Sequence, residues 1–161
     1  MAANNGLINI TASVLPDDMR THVSGDIEYD LNDGAGDDCK WISYAQDIDT
    51  SSEALIVADI GYLQGTAGNT TPTRTSASDN IEFIVIKHSG FRSDGTTKSR
   101  DNLYINFTHG VAAANATGNL TLEPGDVWWG RLAGTADTAD FTAIAAANDI
   151  KVLVYAVLDD A

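Results

Sequence analysis

The sequence predicts an all-β protein, an antiparallel β-sandwich of jelly-roll type with long polar loops. Short segments alternate apolar and polar residues, as in 7–15 and 102–108, and this period of two is the pattern of half-buried strands. Turns rich in Gly, Asn and Asp separate them at the spacing found in sandwiches and barrels. No segment has a convincing helical period, and the absence of alternating strands and helices argues against a doubly wound α/β fold.

The pattern predicts about ten strands in order along the chain. Segment 80–88 is the strongest, and 54–63 is apolar on both faces, as a central strand would be. Segment 141–147 is rich in alanine and reads equally as a strand or as one turn of helix. The predicted strands are 7–15, 26–31, 40–46, 54–63, 80–88, 102–108, 118–122, 126–132, 141–147 and 151–158.

The length of 161 residues predicts a single β-sandwich domain over 1–161, large enough to bury a core without disulfides or metal. Residues 1–6 are a candidate flexible N-terminal arm, and they carry no basic or apolar leader pattern, so we expect no secretion signal. Residues 64–79 are polar and longer than a usual connection, which predicts a surface loop. Cys39 is the one cysteine, so no intramolecular disulfide forms.

The chain is strongly acidic, with a net charge of −14. Such a surface repels nucleic acids and anionic membranes, so neither is expected as a partner. The charge is uneven, because residues 61–100 hold three acids and five bases, a net +2. That basic stretch is either a docking patch for an acidic partner or a solvated loop.

No residue pattern indicates catalysis, a cofactor or a metal centre. His22, His88 and His109 are too far apart in sequence for a metal motif, although His88 and His109 end neighbouring predicted strands and would meet if those strands form a hairpin. The acidic turn 30–38 leaves Ca²⁺ binding open beside the alternative of a solvated turn. We therefore expect no catalytic residue, no cofactor and no enzyme activity.

The pair Trp128-Trp129 lies in a predicted strand, where neighbours face opposite sides. One indole is expected in the core. The other points outward, as a ligand platform of the kind found in carbohydrate-binding modules or as an anchor in an interface.

Three stretches carry a family resemblance: the run 79–95 (DNIEFIVIKHSGFRSDG), the tetrapeptide Asn102-Leu-Tyr-Ile105, and Leu122-Glu-Pro-Gly-Asp126 before an aromatic strand. With the terminal apolar strand, this order resembles capsid decoration (cement) proteins of tailed bacteriophages, over roughly 79–158. The resemblance implies a multicopy structural protein on the capsid surface of the virion, assembled in the bacterial host cytoplasm. It implies the major capsid protein as partner and a homo-oligomer, with a trimer favoured.

Within that hypothesis, the candidate contact region is 64–100 together with the tryptophan pair. The runner-up is a carbohydrate- or receptor-binding jelly-roll module of a phage fibre, and a cupin-like enzyme, which would hold a metal, is third. The candidate interface residues are Arg74, Phe91, Arg92, Lys98, Arg100, Trp128 and Trp129.

Overall fold

The computed structural model describes residues 5–13, 22–30, 40–56, 61–62, 73–74, 80–108, 112–114, 119–131 and 141–159. Twelve β-strands and no helix occur in this part of the chain. The chain forms two compact units, Met1–Cys39 and Lys40–Ala161. The strands are β1 Asn5–Ser13, β2 His22–Asp30, β3 Lys40–Ile48, β4 Glu53–Ala54, β5 Gly61–Tyr62, β6 Thr73–Arg74, β7 Asn80–Arg92, β8 Leu103–Asn106, β9 Leu120–Leu122, β10 Val127–Arg131, β11 Thr142–Ala145 and β12 Ile150–Asp159.

The first unit is an antiparallel hairpin of β1 and β2. Its register places Ile8 opposite Ile27 and Ala12 opposite Val23, so apolar residues of the two strands occupy matching positions. The strand β2 begins at His22, four residues before the predicted start, because the apolar alternation from Val23 continues the pairing with β1.

The second unit is a β-sandwich, which confirms the predicted fold class. One four-stranded antiparallel sheet has the order β10-β7-β12-β3, and the other has the order β4-β11-β8-β9. A separate short ribbon pairs β5 with β6. Segment 141–147, which the sequence left ambiguous, contains the strand β11.

The strand pairing of the sandwich is nested. The strands β3, β4, β7 and β8 pair in reverse order with the last four, giving the pairs β3–β12, β4–β11, β7–β10 and β8–β9. The chain is therefore a long double-stranded hairpin, folded so that successive pairs fall alternately in the two sheets. The pairs β7–β12 and β8–β11 join these hairpin segments within each sheet.

The core lies between the two sheets and is almost entirely aliphatic. In the first sheet Ile84 and Ile86 of β7 and Val152 and Val154 of β12 are fully buried. The second sheet contributes mostly small or branched side chains, and burying each large one stabilises the fold by about 1.5–3 kcal/mol. These residues of the second sheet are Leu103, Ile105, Leu122, Ala143 and Ala145.

The prediction of one central strand over 54–63 is wrong for the part that the structure describes. The strand β4 ends at Ala54 and lies at a sheet edge, and Leu55 and Ile56 are buried in a bend. Side chains of β3 satisfy the carbonyls here, because the Tyr44 hydroxyl donates to the Leu55 carbonyl and the Gln46 amide to the Ala54 carbonyl. The apolar residues Leu55 and Ile56 are therefore explained by a buried bend and not by a central strand.

A smaller correction concerns β8. The alternation of 102–108 predicts Phe107 inside and Asn106 outside; Phe107 does pack against the core, but Asn106 is buried as well. The strand ends at Asn106, whose side-chain oxygen accepts a hydrogen bond from the Thr108 amide at 2.9 Å. Asn106 is therefore buried with its side chain engaged in the turn that ends the strand.

Candidate interaction surfaces

The end of β7 and the residues that follow form a narrow projecting turn. Phe91 and Lys98 are bridged, the Arg92 amide donates to the Thr97 carbonyl at 2.8 Å, and the Gly95 amide donates to the Arg92 carbonyl at 2.9 Å. Gly95 has a φ of 70°, a conformation that glycine adopts without a steric penalty. Asp-Gly is a dipeptide typical of tight turns, and Asp94-Gly95 lies in one here.

Asp94 holds this turn in shape. Its carboxylate accepts hydrogen bonds from the amides of Thr96 and Thr97, each at 2.8 Å, and from the Thr97 hydroxyl at 2.6 Å. The bonds from Thr97 and then Thr96 hold the pKa of Asp94 well below its usual range. Asp94 is therefore ionised at neutral pH, with its oxygens engaged in the turn.

Four of the candidate interface residues come together at this turn: Phe91, Arg92, Lys98 and Arg100, all of them exposed. We call these four residues the basic tip. Charge counting along the sequence located the region, but only the Phe91–Lys98 bridge shows that its two halves lie side by side. Arg74 lies in β6, and its side chain is outside the described residues.

His88 anchors the base of the tip from inside the sandwich. The imidazole is fully buried, its Nδ1 accepts a hydrogen bond from the Gly90 amide at 3.0 Å, and its Nε2 lies 2.9 Å from the Asp101 carbonyl oxygen. Because an amide donates to Nδ1, the proton is on Nε2, which donates to Asp101. Both ring nitrogens are thus occupied, which leaves no lone pair for an ion.

The structure describes only some of the residues that the sequence analysis considered as metal ligands. Among the described residues, no three His, Cys, Asp or Glu side chains form a group that could hold a metal ion. The described residues do not include His109, which would meet His88 in the predicted hairpin. They also do not include residues 31–39, which contain most of the acidic turn and Cys39.

A polar recess of about 320 Å³ lies beside the tip. Arg92, Asn148 and Asp149 contribute to its wall, and the Asn148 amide donates to the Asp101 carboxylate at 2.8 Å. Burial raises the pKa of Glu53, and the nearby Asp49 carboxylate raises it further. The Ser93 amide donates to the Asp149 carbonyl at 3.2 Å, so a backbone hydrogen bond joins the two loops that form the recess.

The two tryptophans of β10 face opposite sides, as the alternation predicts. Trp128 packs against the core, with its ring 5.0 Å from Phe107, which lies 5.0 Å from Phe141. A Cβ on Gly130 would approach the Trp128 ring to 3.0 Å, so glycine makes room for the indole. The interface prediction for this pair therefore concerns Trp129 alone.

Trp129 lies on the outer surface of the first sheet and is 45% exposed. Its ring stacks on Phe83, with centroids 6.4 Å apart, which fixes the indole over the sheet. Val127 and Tyr155 are also exposed on this surface, at 50% and 37%. Neither residue is among the candidate interface residues, although the alternation of β10 and β12 places both on the same side as Trp129.

No protein-family model, no curated protein and no solved structure matches the chain. Among the described residues, no helix has the length and apolar character needed to span a membrane.

Proposed function

We propose that this chain is a capsid decoration subunit of a tailed bacteriophage, built on a jelly roll. The nested pairing of eight strands into two four-stranded sheets supports the jelly roll, which is defined by that winding. Jelly rolls occur in viral capsid proteins, in lectins and in cupins. His88, with both nitrogens hydrogen-bonded, weighs against the cupin type of metal site.

The observation that carries the proposal is the basic tip. Three cationic side chains and one exposed phenyl ring lie together on one turn of a chain whose net charge is −14. Since an acidic shell repels most of such a surface, the tip is the end that approaches it. Electrostatic steering then fixes the orientation of the subunit before short-range contacts form.

The tip is also suited to this task because it is held in shape before it binds. The hydrogen bonds of Asp94 order the turn, and the Ser99 amide donates to the Gly90 carbonyl at 2.9 Å. His88 fixes the start of the turn to the core. A preformed loop loses less conformational entropy on binding, which favours a durable attachment.

Reversing two charges of the tip, in the double variant Arg92→Glu with Arg100→Glu, is expected to weaken binding to the phage shell at least about tenfold, or 1.4 kcal/mol. The loss follows from repulsion between the new carboxylates and the acidic partner. Binding of the unmodified chain is expected to weaken as salt rises, because salt screens exposed charges. Co-sedimentation with shells stripped of the chain measures both effects.

The matched control is the single variant Arg131→Glu, compared with Arg92→Glu and Arg100→Glu taken one at a time. Arg131 ends β10 and pairs with Glu82 at 4.0 Å rather than lying in the tip, so shell binding is expected to stay as it is in the unmodified chain. Equal occupancy of the tip variant and the unmodified chain would contradict the proposed role of the tip.

A further inference from the structure

We propose that the outer surface of the first sheet is a self-association face, on which a second copy of this chain docks with its own identical face. The proposal goes beyond capsid decoration, because it concerns a two-fold contact between copies, which differs from the trimer that the resemblance implies, and it is testable on the purified chain. The aromatic face, as we name it, consists of Val85, Lys87, Val127, Trp129, Leu153 and Tyr155, with Ser43, Ala45 and Asp47 at the β3 edge.

The register arranges these side chains in rows across the four strands. One row runs from Trp129 through Val85 and Tyr155 to Ser43. The adjacent row runs from Val127 through Lys87 and Leu153 to Ala45. In the first row the large side chains of Trp129 and Tyr155 therefore alternate with the smaller ones of Val85 and Ser43, so each large residue has a small neighbour on the next strand.

This alternation of large and small side chains makes the face complementary to itself, because reversing the strand order sets each large residue against a small one. A two-fold axis that lies between two facing copies, parallel to the strands, places β10 of one copy over β3 of the other. Trp129 then lies opposite Ser43, and Val127 lies opposite Ala45. Two-fold contacts are the commonest form of self-association, and facing sheets with aligned strands are a common packing.

The charges of the face fit the same arrangement. Lys87 is exposed and has no ion-pair partner within the described residues. Asp47 is half exposed at the β3 edge, bonded to its neighbour Lys151 at 2.7 Å. The two-fold axis places Lys87 of one copy one strand and one row away from Asp47 of the other copy. Because the axis exchanges the two copies, this opposite-charge contact occurs twice.

The size of the face sets the strength of the contact. Four strands about 4.8 Å apart and two rows about 6.8 Å apart, with Asp47 beyond them, cover about 300 Å². Two copies would then bury about 600 Å², below the ~1,200 Å² at which stable complexes begin. We therefore expect a weak dimer, and copies held close together on a shell would pair more completely because their effective concentration is higher.

A second copy fits this face better than a saccharide does. Sugar sites combine an aromatic ring with several convergent hydrogen-bonding groups. Here Val85, Leu153 and Val127 surround the two aromatic rings. Lys151 is already bonded to Asp47, and Arg131 pairs with Glu82 at 4.0 Å.

Sedimentation velocity on the full chain, from about 10 µM to about 1 mM, tests the proposal. The unmodified chain is expected to shift from monomer to dimer across this range. Trp129→Lys is expected to remain monomeric, whereas Phe91→Lys, which changes a similarly exposed ring on the tip, is expected to dimerise normally. Circular dichroism checks folding, and Val127→Lys at the sheet edge replaces Trp129→Lys if that variant unfolds.

A mixing experiment tests the two-fold arrangement itself. Lys87→Glu and Asp47→Lys are each expected to weaken dimerisation at least about fivefold, because each creates two like-charge contacts. An equimolar mixture of the two variants restores both opposite-charge contacts, so it is expected to dimerise like the unmodified chain.

Four results would overturn the proposal. One is a monomer at every concentration, and another is a dimer that Trp129→Lys and Val127→Lys leave intact. The third is a mixture that associates no better than its components, and the fourth is a trimer insensitive to changes on this face. Specific quenching of Trp129 fluorescence by saccharides, with no dimer, would assign the face to a different ligand.

Discussion

Replacing Phe141 with alanine is expected to lower the free energy of unfolding by about 3–5 kcal/mol. Phe141 is 1% exposed and belongs to the core cluster between the sheets. Its ring lies 5.0 Å from Phe107, which in turn stacks on Trp128, so truncation removes support from a row of three aromatic rings. Its carbonyl accepts the Leu55 amide, which ties the buried bend after β4 to the start of β11.

Equilibrium denaturation of the full chain measures the effect of this substitution. Phe141→Leu retains most of the buried volume, so we expect it to lose less than about 1.5 kcal/mol. If Phe141→Ala lowered the free energy of unfolding no more than Phe141→Leu does, the row of three aromatic rings would not be a structural element of the core.

Replacing His88 with phenylalanine is the second large effect, with an expected loss of about 2–4 kcal/mol in the free energy of unfolding. Phenylalanine keeps a ring in the buried position but removes both hydrogen bonds of the imidazole. The Gly90 amide and the Asp101 carbonyl then lose their partner, and an unsatisfied buried polar group costs about 1–3 kcal/mol. Amide exchange at Gly90 is expected to become faster as the base of the tip loosens.

The control for this variant lies next to it on the same strand. Lys87→Gln changes an exposed side chain on the opposite face of β7, and its expected effect on stability is within about 0.5 kcal/mol. His88→Asn keeps an acceptor close to the Gly90 amide, so it separates the two hydrogen bonds. A stable His88→Phe variant with unchanged exchange at Gly90 would show that the histidine does not hold the tip.

The strands of the sandwich were predictable because the signal for a strand is local. Asn80–Arg92 contains the strongest strand signal in the chain, and turn residues such as Gly125, with a φ of 97°, end the segments where predicted. The buried bend at Leu55 and Ile56 was not predictable, because the carbonyls of Ala54 and Leu55 are satisfied by side chains of β3 that lie elsewhere in the sequence. A run of apolar residues looks the same in a central strand and in a buried bend.

The strand order could not be derived from periodicity. The nested pairing joins β3 with β12, whose residues are about a hundred positions apart, and no local pattern records which partner a strand chooses. The shape of the candidate surfaces depends on that order. Charge counting found the residues of the basic tip, but the aromatic face exists only because the register aligns Trp129 with Tyr155 across β7.

The most direct test of the proposed function is quantitative mass spectrometry of purified phage particles whose genomes encode this chain. If the chain is a decoration subunit, we expect it in every preparation at a fixed ratio to the major capsid protein, with both in comparable copy number. We also expect it to be released from the particles before the capsid protein as salt is raised, because the tip binds through exposed charges. Particles that lack the chain, or that carry only a few copies of it at the tail, would contradict the proposal.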